Sequence, residues 1–301
     1  MSIEDMLQKG GAPKDIIDLY TYTNATESTT VPSKMSALYM VLTNARASAF
    51  SEDTVEGRIL GGNDKLPKTF AKKLGSKIKY NRALKRLKFN DKGVTAIVNK
   101  NGVNESIKAL KCVIAIPASV LKNVDIEPGF SSDKTYCIQN QDYGHVMKVA
   151  MQYQKRFWDQ KQSIGQRVFT DTRLRRVYHF SIDQPGPRGI LLTFTSGEDA
   201  KKLGRLSEER RMRVAQETCE NIWPESSQYW ENGITKYWNE DPWVKASYSI
   251  AGVGQKGFRD ILAKPEGPIY FAGEHTAFYR ASMNGAIESG LRAKSELIQT
   301  L

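Results

Sequence analysis

Two glycine-bearing turns are the parts of this sequence whose residue types and spacing could bind a nucleotide-like anion. The first contains Gly252, Gly254 and Gly257, which spell G-x-G-x-x-G within "YSIAGVGQKGFRDIL". A dinucleotide fingerprint requires a strand, this turn, a full helix and an acid about 20 residues further on. Glu274 has that spacing, but the helix between has room for only about two turns before Pro265. We therefore predict a surface turn that leads into a short helix, with a phosphate loop as the alternative.

The second turn follows an apolar strand, "GPIYF", which ends in Ala-Gly-Glu and is followed by a helix from Met283. The first N–H groups of a helix have no intrahelical partner and lie at the positive end of its dipole, so they attract anions. Gly273 would let a ligand approach the backbone closely. Gly285 and Gly290 each cost about 1 kcal/mol within the helix, which suggests close packing against a flat ligand or a strand. From the residue types alone, a ligand site and ordinary helix–sheet packing are equally good interpretations.

The other reactive side chains form no metal-binding or disulfide pattern. The three histidines are far apart in the sequence, whereas a zinc site needs more ligands at closer spacing, so no metal is expected. The three cysteines have no C-x-x-C spacing, which is typical of free thiols in a reducing, cytoplasmic compartment. These residues are His145, His179, His275, Cys112, Cys137 and Cys219.

The composition is that of a soluble globular protein with a basic surface. The chain has 301 residues, of which 40% are hydrophobic and 26% charged, and its formal net charge is +11. Lysines and arginines are mixed with acids and do not form a basic stripe with aromatic residues, so we predict no nucleic-acid partner. No apolar run approaches the roughly 20 residues of a membrane-spanning helix, and the polar start resembles no secretion signal. We therefore expect neither a membrane span nor a leader.

The hydrophobic periods predict an α+β, or mixed α/β, fold. Helical signals cover the first residues, with Ser2 as an N-cap and a further helix over 33–47. From residue 78 the period becomes β-like, and "NDKG" and "NKNG" separate three runs. These runs predict a three-stranded meander whose last strand ends at Pro117, because proline cannot donate to a β-ladder.

The second half of the chain predicts an antiparallel or mixed sheet and two long helices. Its β-like runs are "VMKVAMQYQ", "RVFTDT", "RVYHFSI", "GILLTFTS" and "ITKYWNED". Ser207 is the predicted N-cap of a helix that stops before Pro224. The last helix places several apolar residues close to one face. They are Ala286, Ile287, Leu291, Ala293 and Leu297.

Four segments together resemble the flavin amine oxidase family, which includes monoamine, polyamine and L-amino-acid oxidases. The C-terminal stretch "IYFAGEHTAFYRASMNGAIESGLRAKSEL" resembles the family's C-terminal signature. "EGRILGGNDKLPKTF" resembles its GG-x-x-x-L-P helix, "CVIAIPASVL" its V-I-x-A-x-P strand, and "YGHVMKVAMQYQKRFW" its G-x-x-x-K … FW segment. Each segment is degenerate alone, but the four in the same order make the match specific from about residue 30 to the end.

The resemblance implies an FAD-dependent oxidase that acts on a small amine or an L-amino acid. In this family the carbon next to the amine is oxidised by hydride transfer, and the imine hydrolyses to a ketone or aldehyde plus ammonia. Dioxygen is reduced to hydrogen peroxide. The rival interpretations are a non-catalytic remnant and a basic interaction module that binds no flavin.

The resemblance also assigns cofactor contacts to residues of this chain. Leu84 corresponds to the position where the backbone meets the adenine. Gly273 and Glu274 form the turn that contains the flavin-contacting acid. Met283 lies where a backbone N–H at the start of a helix meets the isoalloxazine ring, which agrees with the dipole argument above.

On the substrate side, the resemblance places Lys148 where a lysine holds a water against the flavin. Tyr248 corresponds to one wall of an aromatic cage that binds the substrate. Ser282, next to the flavin and the substrate, replaces the second cage tyrosine of monoamine oxidases. Ser247 replaces the cysteine that those enzymes join to the flavin, so non-covalent FAD is expected.

The family's pyrophosphate loop lies in an N-terminal βαβ unit, and we find no counterpart of it here. The match corresponds to about the last three-fifths of such an enzyme. The expected partner is a separate N-terminal FAD-binding polypeptide or a second copy of the chain, and the alternatives are a gene fragment and an inactive remnant. We predict a helical part of the substrate domain (1–57), an FAD-domain portion with the meander (58–118), the substrate domain (119–240) and a C-terminal FAD-domain portion (241–301).

Overall fold

Helices and strands are interspersed along residues 1–42, 57–160 and 167–300, the parts of the chain that the computed structural model describes. The α-helices are α1 (Ile3–Lys9), α2 (Lys14–Tyr22), α3 (Asn24–Glu27), α4 (37–42), α5 (Lys65–Leu74), α6 (Ala118–Leu121), α7 (Ser132–Asn140), α8 (Gly197–Gly204), α9 (Glu208–Ile222), α10 (Phe258–Ala263) and α11 (Met283–Ile298). The strands are β1 (Ala83–Asn90), β2 (Gly93–Lys100), β3 (Val103–Ala109), β4 (Cys112–Ile114), β5 (Asp125–Glu127), β6 (Val146–Tyr153), β7 (Arg167–Phe169), β8 (Arg176–His179), β9 (Gly189–Thr193), β10 (Thr195–Ser196), β11 (Trp230–Tyr237) and β12 (Ile269–Phe271). This mixture confirms the predicted α+β class.

Strands β1, β2 and β3 form the predicted antiparallel meander, and β5 extends it by pairing parallel to β1. Asn101 and Gly102 join β2 to β3 with φ angles of 49° and 92°, the left-handed backbone that a two-residue hairpin needs. Two predicted boundaries are wrong. Pairing begins at Ala83 and not at residue 78, and the third run divides so that only β3 stays in the meander.

The other half of that third run, β4, pairs in parallel with β12 near the end of the chain. Cys112 lies beside Ile269, and Ile114 beside Phe271. β12 is buried along its length, whereas β3 is mostly exposed. The run divides because its apolar end, where Ile114 is buried, pairs with the buried β12, while its polar stretch suits a meander that faces water. The pairing places the Ala-Gly-Glu turn immediately beyond the parallel pair.

The predicted antiparallel sheet is confirmed, and its strands pair in the order β10-β6-β9-β8-β7. Strand β11 also pairs with β6. Burial alternates along most of β6, so that Met147, Val149 and Met151 are buried with α8 and α9 while Lys148 points to the opposite face. Lys148 therefore lies on the face of this sheet opposite the core formed with α8 and α9.

Hydrogen bonds at the helix starts confirm the two predicted N-caps, Ser2 and Ser207, and show a third at Ser282. Ser2 and Asp5 form a capping box at α1, Ser207 accepts from the N–H of Arg210 at α9, and Ser282 caps α11. The predicted helix over 33–47 is only partly tested: Pro32–Lys34 form a 3₁₀ turn, α4 begins at residue 37, and residues 43–47 lie outside the described ranges.

Helix α11 is present as predicted, but its inward face is different. The side that packs onto the protein consists of Gly285, Ser289 and Ala293. Ile287 and Leu291 are 43% and 60% exposed, so they do not share a buried face with Ala293. At Gly285 the helix approaches the preceding loop too closely for a larger side chain, because a Cβ there would meet the carbonyl oxygen of Tyr279.

The domain boundaries remain predictions. One buried cluster joins the antiparallel sheet to α8 and α9, and a second joins the meander, β4 and β12 to α7 and α10. Cys137 and Ile138 of α7 belong to the second cluster although they lie within the range predicted for the substrate domain.

Candidate functional site

The carboxylate of Glu274 ties three segments together at the end of β12. Its Oε1 accepts from the N–H of Ser249 at 2.9 Å, and its Oε2 accepts from Ser249 Oγ and from the N–H of Ala281, both at 2.8 Å. Arg280 adds hydrogen bonds of 3.1 Å from Nη2 to Ser249 Oγ and to the carbonyl of Ile250. The Ala-Gly-Glu turn, the segment beside Tyr248 and the loop before α11 are therefore held in one arrangement.

We expect replacement of Glu274 with alanine to lower the free energy of unfolding by about 2 kcal/mol, because it leaves two backbone N–H groups without their acceptor. Replacement of Ser249 with alanine removes the hydroxyl and its bonds to Glu274 and Arg280 but leaves both backbone N–H groups paired, so it should cost about 1 kcal/mol. Urea denaturation of the two variants measures both effects. Equal stability of the Glu274 variant and the wild type would show that the carboxylate does not hold these segments.

The loop before α11 places the start of that helix. Ser282 Oγ accepts from the N–H of Gly285 at 2.9 Å and donates to the carbonyl of Tyr279 at 2.7 Å. A Cβ on Gly285 would lie 1.8 Å from the same carbonyl oxygen, so only glycine fits. Met283 is 46% exposed. Because it is the first residue of α11, its N–H has no acceptor within the helix. The helix start thus offers a free N–H, while the Ser282 hydroxyl is occupied by the cap.

Gly273 has a left-handed backbone conformation that favours glycine. Its φ is +125°, and a Cβ there would lie 2.5 Å from the ring of His275. Its N–H donates to Ser289 Oγ of α11 at 2.8 Å. Of the two helix glycines from which close packing was inferred, Gly285 packs closely, whereas a Cβ on Gly290 would meet open space.

Lys148 and Tyr248, which are 100 positions apart, both lie near Glu27. The Tyr248 hydroxyl donates to the Glu27 carbonyl, and burial raises the pKa of Tyr248, so the phenol stays protonated. Lys148 Nζ is 5.0 Å from the centre of the Phe194 ring. Burial lowers the pKa of Lys148, an effect that the Glu27 carboxylate opposes and Arg176 reinforces. The two predicted substrate-side residues are therefore brought into one neighbourhood.

Leu84 lies apart from the residues above, in a cleft of about 770 Å³ between the meander and the segment before Tyr248. Arg82 and Lys85 line the cleft on one side, and Trp243 and Lys245 on the other. This basic and partly apolar lining is compatible with a ring and a phosphate, and the adenine contact of Leu84 remains a prediction.

The G-x-G-x-x-G stretch is a turn, as predicted. Gly254 and Gly257 have φ angles of +84° and +85°, and the helix that follows, α10, has six residues. Gly252 forms an isolated β-bridge with Met35 and does not lie at the end of a strand. A phosphate loop with a full crossover helix is therefore excluded here.

Sequence reasoning missed the residues that hold the predicted ones in place. Ser249 donates to Glu274 and accepts from Arg280, while Glu27, Arg176 and Phe194 lie around Lys148 and Tyr248. Adjacency to Tyr248 was the one available signal for Ser249. The others come from distant segments with no common period, so only the folded chain brings them together.

In residues 1–42, 57–160 and 167–300 no group of three or more His, Cys, Asp or Glu side chains could hold a metal ion. Within those ranges, no helix is both long enough and apolar enough to cross a bilayer.

Comparison with known proteins identifies relatives across most of the chain. The model of a family described as flavin containing amine oxidoreductase matches residues 15–298. The flavin-dependent L-tryptophan oxidase RebO of Lentzea aerocolonigenes is 30% identical over 249 residues, which cover 78% of this chain and 51% of that protein. The putative L-amino-acid oxidase YobN of Bacillus subtilis (strain 168) is 29% identical, with 79% and 52% covered. The chain therefore spans about half the length of these curated relatives.

Solved structures show the same fold at lower sequence identity. Wild-type putrescine oxidase bound to putrescine has a TM-score of 0.85 and 22% identity, with 99% of this chain and 68% of that chain covered. Cyclohexylamine oxidase from Brevibacterium oxydans IH-35A has a TM-score of 0.85 and 17% identity, with 99% and 67% covered. The family match confirms the resemblance and FAD as the cofactor of the family. This chain belongs to the flavin-containing amine oxidoreductases.

Proposed function

We propose that this chain forms the substrate side and the flavin-ring side of an FAD-dependent amine or L-amino-acid oxidase. The observation that carries the proposal is the set of three hydrogen bonds that the Glu274 carboxylate accepts. Through Ser249 and Ala281, it joins the Tyr248 segment to the start of α11. A substrate-binding tyrosine and an anion-attracting helix start are thereby kept side by side, which oxidation of an amine beside a flat ring requires.

The residues present fit a flavin. Gly273 carries no side chain, so a flat ligand can approach the backbone of the turn, and the N–H of Met283 is free at the positive end of a 16-residue helix. Leu84 would meet the adenine in its basic cleft. Because Ser247 stands where monoamine oxidases have the cysteine that is joined to the flavin, we propose that FAD binds non-covalently. Bound FAD would supply the two-electron oxidation of the amine carbon and pass the electrons to dioxygen, which yields hydrogen peroxide.

The chain's own residues would handle the proton and orient the substrate. Lys148, whose pKa is lowered by burial, would hold a water and exchange a proton with it more readily than an exposed lysine. Tyr248 is fixed by its hydrogen bond to the Glu27 carbonyl and would present its ring to the substrate amine. Ser282, with its hydroxyl bound in the helix cap, would leave room where another oxidase has a larger residue.

We also propose that a second polypeptide segment completes the fold. β4 and β12 form a two-stranded parallel sheet, and parallel sheets are ordinarily larger and covered on both faces. The apolar side chains of Met283, Ile287 and Leu291 lie along one exposed side of α11, four residues apart. A polypeptide with an FAD-binding βαβ unit would cover such surfaces. A cytoplasmic location and the alternative of a homo-oligomer remain predictions.

We expect the isolated chain to bind FAD weakly or not at all, because its described residues include no pyrophosphate loop. Addition of a polypeptide that carries a strand–GxGxxG–helix unit should produce stoichiometric flavin absorbance and peroxide release from amines or amino acids. Stoichiometric FAD in the chain alone would contradict the need for a second segment. No flavin in either preparation would contradict the oxidase, and polyanion binding with a steep salt dependence would then favour a basic interaction module.

A further inference from the structure

Arg176 is a buried arginine whose guanidinium is only partly paired. The residue is 5% exposed, and the Nη1 atom donates to the Glu27 carboxylate. Its Nε is buried and has no hydrogen-bond partner. A buried N–H of a charged group that lacks an acceptor costs free energy, so such an atom points to a missing ligand.

The neighbouring Arg175 shows what full pairing looks like in the same strand region. Its Nε and Nη2 donate to Asp199 Oδ2 at 3.0 and 2.8 Å, and its Nη1 donates to the carbonyl of Thr21 at 2.9 Å. Burial of an arginine here is thus compatible with acceptors for every side of the guanidinium. The open edge of Arg176 is a particular property of that residue.

Arg176 lies on the substrate side. Its guanidinium carbon is 5.7 Å from the centre of the Phe194 ring, and Lys148 Nζ is 5.0 Å from the same centre. Its Glu27 partner accepts the hydroxyl of Tyr248 through the backbone carbonyl. The Phe169 ring, 4.9 Å away, covers the guanidinium from β7. Arg176 is therefore a neighbour of both residues that would handle the substrate amine.

We propose that the Nε–Nη2 edge of Arg176 binds a carboxylate of the substrate, so that the substrates are α-amino acids and not simple amines. The inference rests on the proposed oxidase function. The Nε and Nη2 hydrogens of arginine form a planar fork that matches the two oxygens of a carboxylate. The Phe169 and Phe194 rings lie 4.9 and 5.7 Å from the guanidinium carbon, and such an apolar surrounding strengthens a charged pair. Glu27, 57% exposed at its side chain, holds the Nη1 edge and is the resident anion that the incoming carboxylate joins or displaces.

The test compares L-phenylalanine with 2-phenylethylamine, which differs from it only by the carboxylate. Binding to the full chain is measured by isothermal titration calorimetry, and peroxide release is measured on any flavin-loaded preparation. We expect the wild type to prefer L-phenylalanine, and R176M to reduce its affinity about tenfold or more while leaving that for the amine unchanged. R176K should restore only part of the preference because lysine lacks the fork. R175M is the matched control: it should lower stability and keep the preference.

A second variant keeps the proposal testable if R176M folds poorly. E27Q removes the competing negative charge and should raise the affinity for L-phenylalanine relative to that for 2-phenylethylamine, because the ammonium group is common to both compounds. The proposal is overturned if the wild type shows no preference for the amino acid or binds neither compound, or if R176M keeps the preference. Equal peroxide release from both compounds would overturn it and leave the oxidase proposal standing. A further outcome is a protein that binds no flavin, in which the wild type prefers L-phenylalanine and R176M loses that preference. That result would support the Arg176 site and contradict the oxidase proposal.

Discussion

Replacement of Gly285 with alanine is expected to lower the free energy of unfolding by more than about 3 kcal/mol. The added Cβ would lie 1.8 Å from the carbonyl oxygen of Tyr279 and 2.7 Å from its carbonyl carbon. These are backbone atoms and cannot rotate away as a flexible side chain could. The same loop is fixed by the Ser282 cap and by Glu288, which accepts the N–H groups of Phe278 and Tyr279 at 3.0 and 3.1 Å. The alanine must therefore displace the start of α11, and FAD binding should fall with it.

Gly290 provides a matched control in the same helix. A Cβ there meets nothing within 4 Å, so alanine should stabilise the protein by about 0.5–1 kcal/mol through helix propensity. Thermal unfolding of G285A and G290A, followed by circular dichroism, measures the contrast. If both variants unfold at the same temperature, the close approach between α11 and the preceding loop does not exist.

Replacement of Lys148 with methionine is expected to slow substrate oxidation by about 100-fold while leaving stability unchanged or higher. Methionine has similar length and is compatible with an environment that lowers the pKa of the lysine, so the fold should tolerate it. What is lost is a group that holds a water and exchanges a proton. The rate is measured as peroxide release by flavin-loaded protein, completed by a second polypeptide where that is needed.

Lys236 is the control for this experiment because it pairs with Lys148 across β11 and β6. Its side chain is exposed and forms an ion pair with Asp241 at 2.9 Å. K236M should change the rate by less than about twofold, since an exposed ion pair contributes little. A K148M enzyme as fast as K236M would exclude the role proposed for Lys148. A K148M protein that fails to load flavin would show a structural role instead.

Local signals in the sequence were sufficient for most of the secondary structure. Ser2, Ser207 and Ser282 cap helices because a serine hydroxyl satisfies a backbone N–H wherever the helix begins, whatever packs around it. Asn101 and Gly102 turn the chain because they tolerate positive φ. The short helix after Gly257 could also be predicted, since Pro265 left room for nothing longer.

The wrong predictions concern packing between distant segments. The run that ends at Pro117 looked like one strand, yet β4 leaves the meander to pair with β12, more than 150 positions away. The apolar face predicted for α11 is partly exposed, because the fold buries Gly285, Ser289 and Ala293. Periodicity reports how apolar a face is, but not which neighbour lies against it.

The sequence by itself determined the family, the fold class and the turn that contains Gly273 and Glu274, because these depend on residue types at short and fixed spacing. Only the tertiary structure decided how the site is held. Ser249 donates to Glu274, Arg280 donates to Ser249, and Glu27 connects Tyr248 to Arg176, through contacts between segments that are from 25 to 221 positions apart. Such contacts depend on how whole sheets and helices pack, and no local pattern encodes them.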